Sequence, residues 1–163
     1  MAAGATYEPI ATQTLASTAT SVSFTSIAAT YTDIVLVAAG TASTATGVFV
    51  RVNNDSGSNY SFTQLQGDGT TATSSRSTAQ NKAGAGSWYT TQSNSIVQFQ
   101  NYANATTYKT FLTRMNNAGN LVEATVSLWR NTAAINRIDI APGFGANTFS
   151  IGSTFTLYGI AAA

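Results

Sequence analysis

Short runs of β-branched and aromatic residues recur along the whole chain, separated by clusters of Ser, Thr, Gly and Asn. No segment shows the 3.6-residue period of a long amphipathic helix. In the clearest alternation, Val122, Ala124 and Val126 fall on one side of a strand and Glu123 and Thr125 on the other. Because such alternation is typical of half-buried strands, the pattern predicts an all-β protein.

The number and spacing of these runs indicate the architecture. We count eight to ten runs, which is roughly what an antiparallel, jelly-roll-like β-sandwich requires. Residues 34–37, Ile-Val-Leu-Val, predict a strand that is covered on both faces. A chain of 163 residues is expected to form one domain over 1–163. Within it, residues 70–87 are small and polar and predict a long polar loop.

Charge is scarce, which changes the range of expected partners. Only 8% of the residues are charged, the formal net charge is +1, and His and Cys are absent. Such a surface can be buried against neighbours at little desolvation cost. Without a clustered Lys/Arg excess, nucleic acid is not an expected partner. The sequence shows no classical signal peptide and no apolar stretch of membrane-spanning length, so we expect neither export nor a membrane partner.

Few side chains could carry out catalysis. A Ser-His-Asp triad is excluded because the chain has no histidine. Glycosidase chemistry needs two facing carboxylates, and no two acidic residues stand in a recognisable catalytic context. We expect turn roles for Asp55 and Asp68, a solvent-facing position for Glu123, and pairing with Arg for Asp33 and Asp139. The sixth acidic residue is Glu8. We therefore predict no enzyme and no catalytic residue.

Two loops could offer oxygen ligands to Ca²⁺, residues 53–57 and 67–70. Both lack the EF-hand spacing, and Asn, Asp and Gly are also the residues that ordinary turns prefer. Ordinary turns are the better interpretation, so we predict neither a metal site nor a cofactor.

Three aromatic residues are the candidate site residues. Phe49, Trp129 and Tyr158 alternate with the side chains that we assign to the core, on otherwise polar strand faces. A subunit interface would explain them, because such interfaces are enriched in aromatic residues. A sugar-stacking platform, a sandwich that covers both faces, or a register error of one residue would explain them as well.

The chain also resembles small all-β virion proteins of tailed bacteriophages, especially phages of cyanobacteria and other marine bacteria. The resemblance covers nearly the whole chain except residues 70–87. It is carried by YEPIATQTL at 7–15, SFTSI at 23–27, YTDIVLV at 31–37, NDSGSNY at 54–60, QNY at 100–102, TYKT at 107–110 and GSTFTLYGI at 152–160. These motifs are strand and turn sequences, so they bring no catalytic residues with them.

The resemblance implies a structural protein of the virion. We expect a capsid decoration or cement protein, made in the cytoplasm of the bacterial host and located on the capsid surface. Its expected partners are further copies of itself, most plausibly in a homotrimer, and the major capsid protein of the same phage. The alternative is a tail fibre or receptor-binding protein that binds host glycans, and a free-standing lectin-like module is a further rival.

Overall fold

The computed structural model describes residues 6–119 and 121–161. Within these ranges the chain forms twelve β-strands and no helix. Runs of β-branched and aromatic residues form most of the strands, and Gly, Asn, Asp and Ser are frequent between them. The strands are β1 (Tyr7–Thr14), β2 (Val22–Phe24), β3 (Asp33–Gly40), β4 (Thr46–Val52), β5 (Tyr60–Gly67), β6 (Ala72–Gln80), β7 (Ala83–Trp88), β8 (Ser93–Phe99), β9 (Lys109–Asn117), β10 (Val122–Trp129), β11 (Ile138–Pro142) and β12 (Thr154–Ile160).

The strands form two antiparallel sheets that enclose one hydrophobic core. The large sheet has eight strands in the order β1-β12-β3-β8-β9-β10-β5-β6, and the small sheet has four in the order β2-β11-β4-β7. All the strand pairings described are antiparallel. The predicted all-β, jelly-roll-like antiparallel β-sandwich is confirmed. The described part of the chain has twelve strands, which is more than the eight to ten predicted.

Aromatic side chains pack at the centre of the core. The ring of Phe155 lies 6.0 Å from that of Trp88 in a stacked arrangement and 4.8 Å from that of Phe149. All three side chains are fully buried, which removes a large apolar area from water. The small sheet contributes alternate side chains of its strands to the same core, namely Val22, Phe24, Val48, Val50, Val52, Ile138 and Ile140.

The prediction of a long polar loop at residues 70–87 is wrong. This segment contains all of β6 and most of β7, separated by Asn81 and Lys82. β6 is polar on both faces because it is an edge strand with most of its side chains in water. Most side chains of β7 are small because this strand packs closely against the large sheet. The pattern did not reveal these strands because β6 has no large apolar side chains and because the Gly and Ala residues of β7 have weak strand propensity.

Turn residues lie where the sequence places them. Asn53 and Asn54 adopt positive φ angles of 52° and 57°, which asparagine tolerates better than most residues. The carboxylate of Asp55 accepts a hydrogen bond from the backbone N–H of Gly57 at 2.8 Å, and that of Asp68 accepts from Thr70 at 2.9 Å. The turn roles predicted for Asp55 and Asp68 are confirmed.

Candidate docking surface on the large sheet

Strand β10 faces the opposite way from the sequence-based expectation. Its hydroxyl and carboxyl side chains, Glu123, Thr125 and Ser127, are buried. Its aliphatic side chains point to water, with exposed fractions of 59% for Val122 and 55% for Val126. The solvent-facing position predicted for Glu123 is therefore wrong.

The inversion of β10 is explained by β7, which packs closely against β9 and β10 through glycines. A Cβ atom added at Gly84 would lie 3.0 Å from Cγ2 of Thr125, and one added at Gly86 would lie 2.6 Å from Cγ of Met115. The backbone of β7 thus lies directly against the inner faces of β9 and β10. This arrangement favours hydroxyl side chains there, because the carbonyl of Gly84 accepts hydrogen bonds from Oγ1 of Thr113 at 3.2 Å and from Oγ of Ser127 at 3.5 Å.

The buried carboxylate of Glu123 is satisfied by neighbouring hydroxyls. Oγ of Ser87 donates to Oε2 at 2.9 Å, and Oγ1 of Thr125 donates to Oε1 at 2.8 Å. A buried carboxylate without such partners would be costly, so the inner face of β10 has to carry hydroxyls next to it. This requirement leaves the aliphatic residues of β10 on the outside.

These outward residues join neighbours on adjacent strands to form a continuous apolar surface, which we call the outer patch. In the strand register, Ala124 pairs with Leu65 on β5 and Val126 pairs with Leu112 on β9. Leu65 is 58% exposed and Leu112 is 36% exposed. The outer patch consists of Leu65, Leu112, Val122, Ala124 and Val126.

Two depressions lie on this face of the sheet. An open depression of about 670 Å³ is bordered by Leu65, Val122 and Ala124 and reaches the small residues of β6. A second depression of about 300 Å³ is bordered by Val126 and Arg76. Apolar surface of this kind, with depressions that a partner can fill, is typical of protein interaction sites rather than of ordinary solvated strands.

The outer patch is flanked by two positive charges. Arg114 pairs with Ala124 across the β9–β10 ladder, and Arg76 pairs with Thr63 across the β5–β6 ladder. Both side chains are exposed, and neither forms a side-chain hydrogen bond or ion pair with the described residues. The outward positions of β9, β10, β5 and β6 carry no acidic residue. The face is therefore apolar at its centre and positive at its rim.

Of the three predicted interface residues, Trp129 is the one that the structure places in the core. It is 1% exposed and stacks on Tyr60, with the ring centroids 6.4 Å apart. Its indole N–H donates to the carboxylate of Asp55 at 2.6 Å. Trp129 is a core residue of its own subunit, so the interface prediction for it is corrected. The physical reason is the inversion of β10, which turns the side predicted to be polar toward the core.

Phe49 and Tyr158 lie opposite the inward residues of their strands, and both are half-buried. Phe49 contacts Phe62 at a ring distance of 6.2 Å, and Nζ of Lys82 lies 4.1 Å from its ring centroid. Tyr158 meets Tyr7 edge to face at 6.3 Å. The two residues lie on different sheets and do not form a single surface with Trp129. An interface role for either of them stays a prediction.

Acidic residues outside β10 are held by local partners. Asp139 forms an ion pair with Arg137 at 2.7 Å, as predicted. Burial acts to raise the pKa of the Asp139 carboxyl, but hydrogen bonds from Arg137 and Ser23 outweigh burial and hold the pKa below its usual range. Asp33 accepts hydrogen bonds from Gln98 and from the backbone of Asn101 instead of the predicted Arg.

The buried lysine, Lys109, is also held by hydrogen bonds. Nζ of Lys109 donates to the carbonyls of Thr107 at 2.7 Å and Thr132 at 3.0 Å, and burial lowers its pKa. Within the described residues, no group of three or more His, Cys, Asp or Glu side chains is placed to hold a metal ion. No helix in that part of the chain is long and apolar enough to span a membrane.

Comparison with known proteins finds only distant structural similarity. No family model and no curated protein matches the chain. Among solved structures, the galectin LEC-6 of Caenorhabditis elegans is similar over 89% of this chain and 94% of that chain, with 11% identity and a TM-score of 0.41. A variant of alginate lyase Aly36B in complex with an alginate tetrasaccharide is similar over 74% of this chain and 70% of that chain, with 8% identity and a TM-score of 0.26. Similarities this low carry no argument about function.

The outer patch does not follow from the expected orientation of β10, although its signal is present in the sequence. The alternation of residues 121–130 placed Val122, Ala124 and Val126 together on one face of a strand, and this grouping is right. Only the side that faces the core was assigned wrongly. The glycines at 84 and 86 were the available clue, because glycine in a strand often marks a close approach of another backbone.

Proposed function

We propose that this chain is a structural protein of a bacteriophage virion, namely a capsid decoration or cement protein, and that the outer patch is the surface that binds the shell. A decoration protein binds many identical sites through contacts that are individually modest and are amplified by multivalency. An apolar sheet face with little charge suits this task, because covering it costs little desolvation.

The observation that carries the proposal is the exposure of the outer patch. Four of its side chains, Leu65, Leu112, Val122 and Val126, are large aliphatic groups that are 36% to 59% exposed on adjacent strands. Isolated exposed aliphatic residues need no explanation, but a contiguous set on three neighbouring strands does. The arginines at its rim favour a partner with carboxylates, such as a major capsid protein could supply.

The test is binding to purified phage shells that lack their endogenous copies. We expect Val126→Asp to weaken binding by at least about tenfold, because it places a charge in the middle of the apolar contact. The matched control is Ile151→Asp, since Ile151 is 67% exposed but lies in the turn that precedes β12. Co-sedimentation with shells measures the binding, and thermal unfolding confirms that both variants are folded.

Equal binding of the two variants would show that the outer patch is not the docking surface. Immunogold labelling of intact particles gives an independent answer about location. Capsid labelling supports the decoration role, whereas tail labelling would contradict it and favour the receptor-binding alternative. The homotrimer expected from the sequence stays a prediction, and the outer patch does not depend on it.

A further inference from the structure

The two edges of the large sheet differ in how well they are protected against pairing with another strand. β1 carries Pro9, which has no N–H to donate, and its register shifts between Pro9 and Ala11. Proline and bulges are the usual protection of edge strands. β6, at the other edge, contains no proline and pairs with β5 in unbroken register from Ala72 to Ser77. Its irregularity is confined to its C-terminal end.

The free edge of β6 is also accessible. All residues from 72 to 76 are exposed, and no described strand pairs with β6 on its outer side. Its side chains are mostly Ser, Thr and Ala, which do not obstruct the approach of a second backbone, and Arg76 is its single charge. An open edge with unpaired backbone N–H and C=O groups is a template for strand addition.

We propose that β6 pairs in an antiparallel arrangement with β6 of a second copy of this chain, about a twofold axis at Ser74. Charge favours the antiparallel direction, because Asp68 precedes the strand and Arg76 lies within it. Antiparallel pairing brings the carboxylate end of each copy toward the arginine of the other. In-register parallel pairing would align Arg76 with its own copy, which destabilises a ladder.

The position of the axis follows from the side-chain faces. Opposite residues in an antiparallel pair share a face, so a twofold axis perpendicular to the sheet must pass at a residue. An axis at Ser74 places Arg76 opposite Ala72 of the second copy and keeps the two arginines four positions apart. An axis at Ser75 would bring them within two positions, and an axis at Arg76 would place them directly opposite. Axes at Ala72 or Thr73 would separate the arginines further but would pair no more than three residues of the exposed run 72–76, whereas an axis at Ser74 pairs all five.

Pairing of this kind joins the two large sheets into one continuous sheet. Both outer patches then lie on the same side of it, with the two Leu65 residues three strand spacings apart, about 14 Å. The pair would therefore present twice the docking surface of a single subunit. A twofold pair also differs from the homotrimer predicted from the sequence, so the mass of the assembly separates the two.

Disulfide cross-linking tests the register directly, because the chain has no natural cysteine. Opposite residues in an antiparallel pair have Cα atoms about 4.5–5.5 Å apart, within the range that a disulfide bridges. We expect Ser74→Cys to form covalent dimers under mild oxidation. Thr73→Cys and Ser75→Cys should each cross-link poorly alone and well when mixed, since they oppose one another. Thr14→Cys, on the edge strand β1, is the control and should stay monomeric.

Sedimentation of the full chain tests the association itself. We expect a reversible species of twice the subunit mass of 16.9 kDa. Ser74→Lys should weaken it by at least about tenfold, because two like charges would face each other at the axis. Thr14→Lys, at an equally exposed edge position, should leave it unchanged. A monomer at about 100 µM, a trimer, or equal cross-linking at positions 73, 74 and 75 would each overturn the proposal.

None of these outcomes depends on phage shells, so failure here is distinguishable from failure of the proposed function.

Discussion

Strands β10 and β12 carry the same kind of sequence and present opposite sides to the core. In β12, Phe155 and Leu157 point inward and Thr154 and Thr156 point outward. In β10, the hydroxyl and carboxyl side chains point inward and Val122, Ala124 and Val126 point outward. Both strands are central in the same sheet, so neither edge position nor strand propensity explains the difference.

The difference lies in what covers each strand. Phe155 of β12 meets the aromatic rings of Trp88 and Phe149, where large side chains fill the space. β10 meets the glycines of β7, where the backbone approaches closely and the carbonyl of Gly84 accepts hydrogen bonds from hydroxyl side chains. Alternation along a strand therefore tells which residues share a face, whereas the opposing layer decides which face is buried.

The largest expected effect on stability comes from removing an inward side chain of β12, compared with an outward side chain of β10. Phe155→Ala should destabilise the fold by about 3–5 kcal/mol, because it leaves a cavity beside Trp88 and Phe149. Val126→Ala should change the stability by less than about 0.5 kcal/mol, since Val126 is mostly in water. Urea unfolding of both variants measures the difference. Similar losses for the two variants would mean that β10 does not face outward.

A smaller loss of stability is expected from a substitution that tests how closely β7 approaches β9 and β10. Gly86→Ala should cost about 2–4 kcal/mol, because the added methyl group would lie 2.6 Å from Met115 and because Gly86 has a φ angle of 107°. Gly69→Ala is the matched control, with a φ angle of 89° but no atom within 4 Å of the added group. We expect it to cost about 1 kcal/mol. Equal thermal destabilisation would contradict the close approach of β7 to β9.

The smallest effect on stability is expected from substitutions that exchange hydroxyl and methyl groups on the two faces of β10. Thr125→Val removes one of the two hydroxyl donors to the buried Glu123 carboxylate and should cost about 1–3 kcal/mol. Val126→Thr, the reciprocal exchange at the next position, should stay within about 0.5 kcal/mol of the natural protein. Chemical denaturation at neutral pH provides both values. A reversal of their order would contradict the assigned orientation of β10.

Much of the fold could be predicted from the sequence because side-chain period and turn chemistry are local properties. The alternation of Val48, Val50 and Val52 gave the buried face of β4 correctly, and the turn at Asn53 and Asn54 lies where its residues indicate. The segment at 70–87 was missed for a physical reason. An edge strand in water and a strand packed tightly through glycine both lose the hydrophobic signature by which strands are recognised.

The candidate site was harder to predict because it depends on contacts between distant parts of the chain. Trp129 is expected at a surface because the other residues on its face of β10 are polar. Its indole N–H nevertheless donates to the carboxylate of Asp55, which is far away in sequence. The outer patch needs three strands, β9, β10 and β5, in a register that no local pattern specifies. Sequence therefore grouped the residues of each strand correctly but could not combine them into a surface.

The place of β12 has a consequence for how the protein acquires its structure during synthesis. The last strand in sequence lies between β1 and β3, so the earliest segments of the chain cannot join the large sheet by themselves. At the usual rate of translation, β1 waits for roughly 7–30 s before its neighbour has been made. A topology so rich in distant pairings is expected to fold slowly. During this interval the sparing use of large apolar side chains in β1 limits its tendency to aggregate.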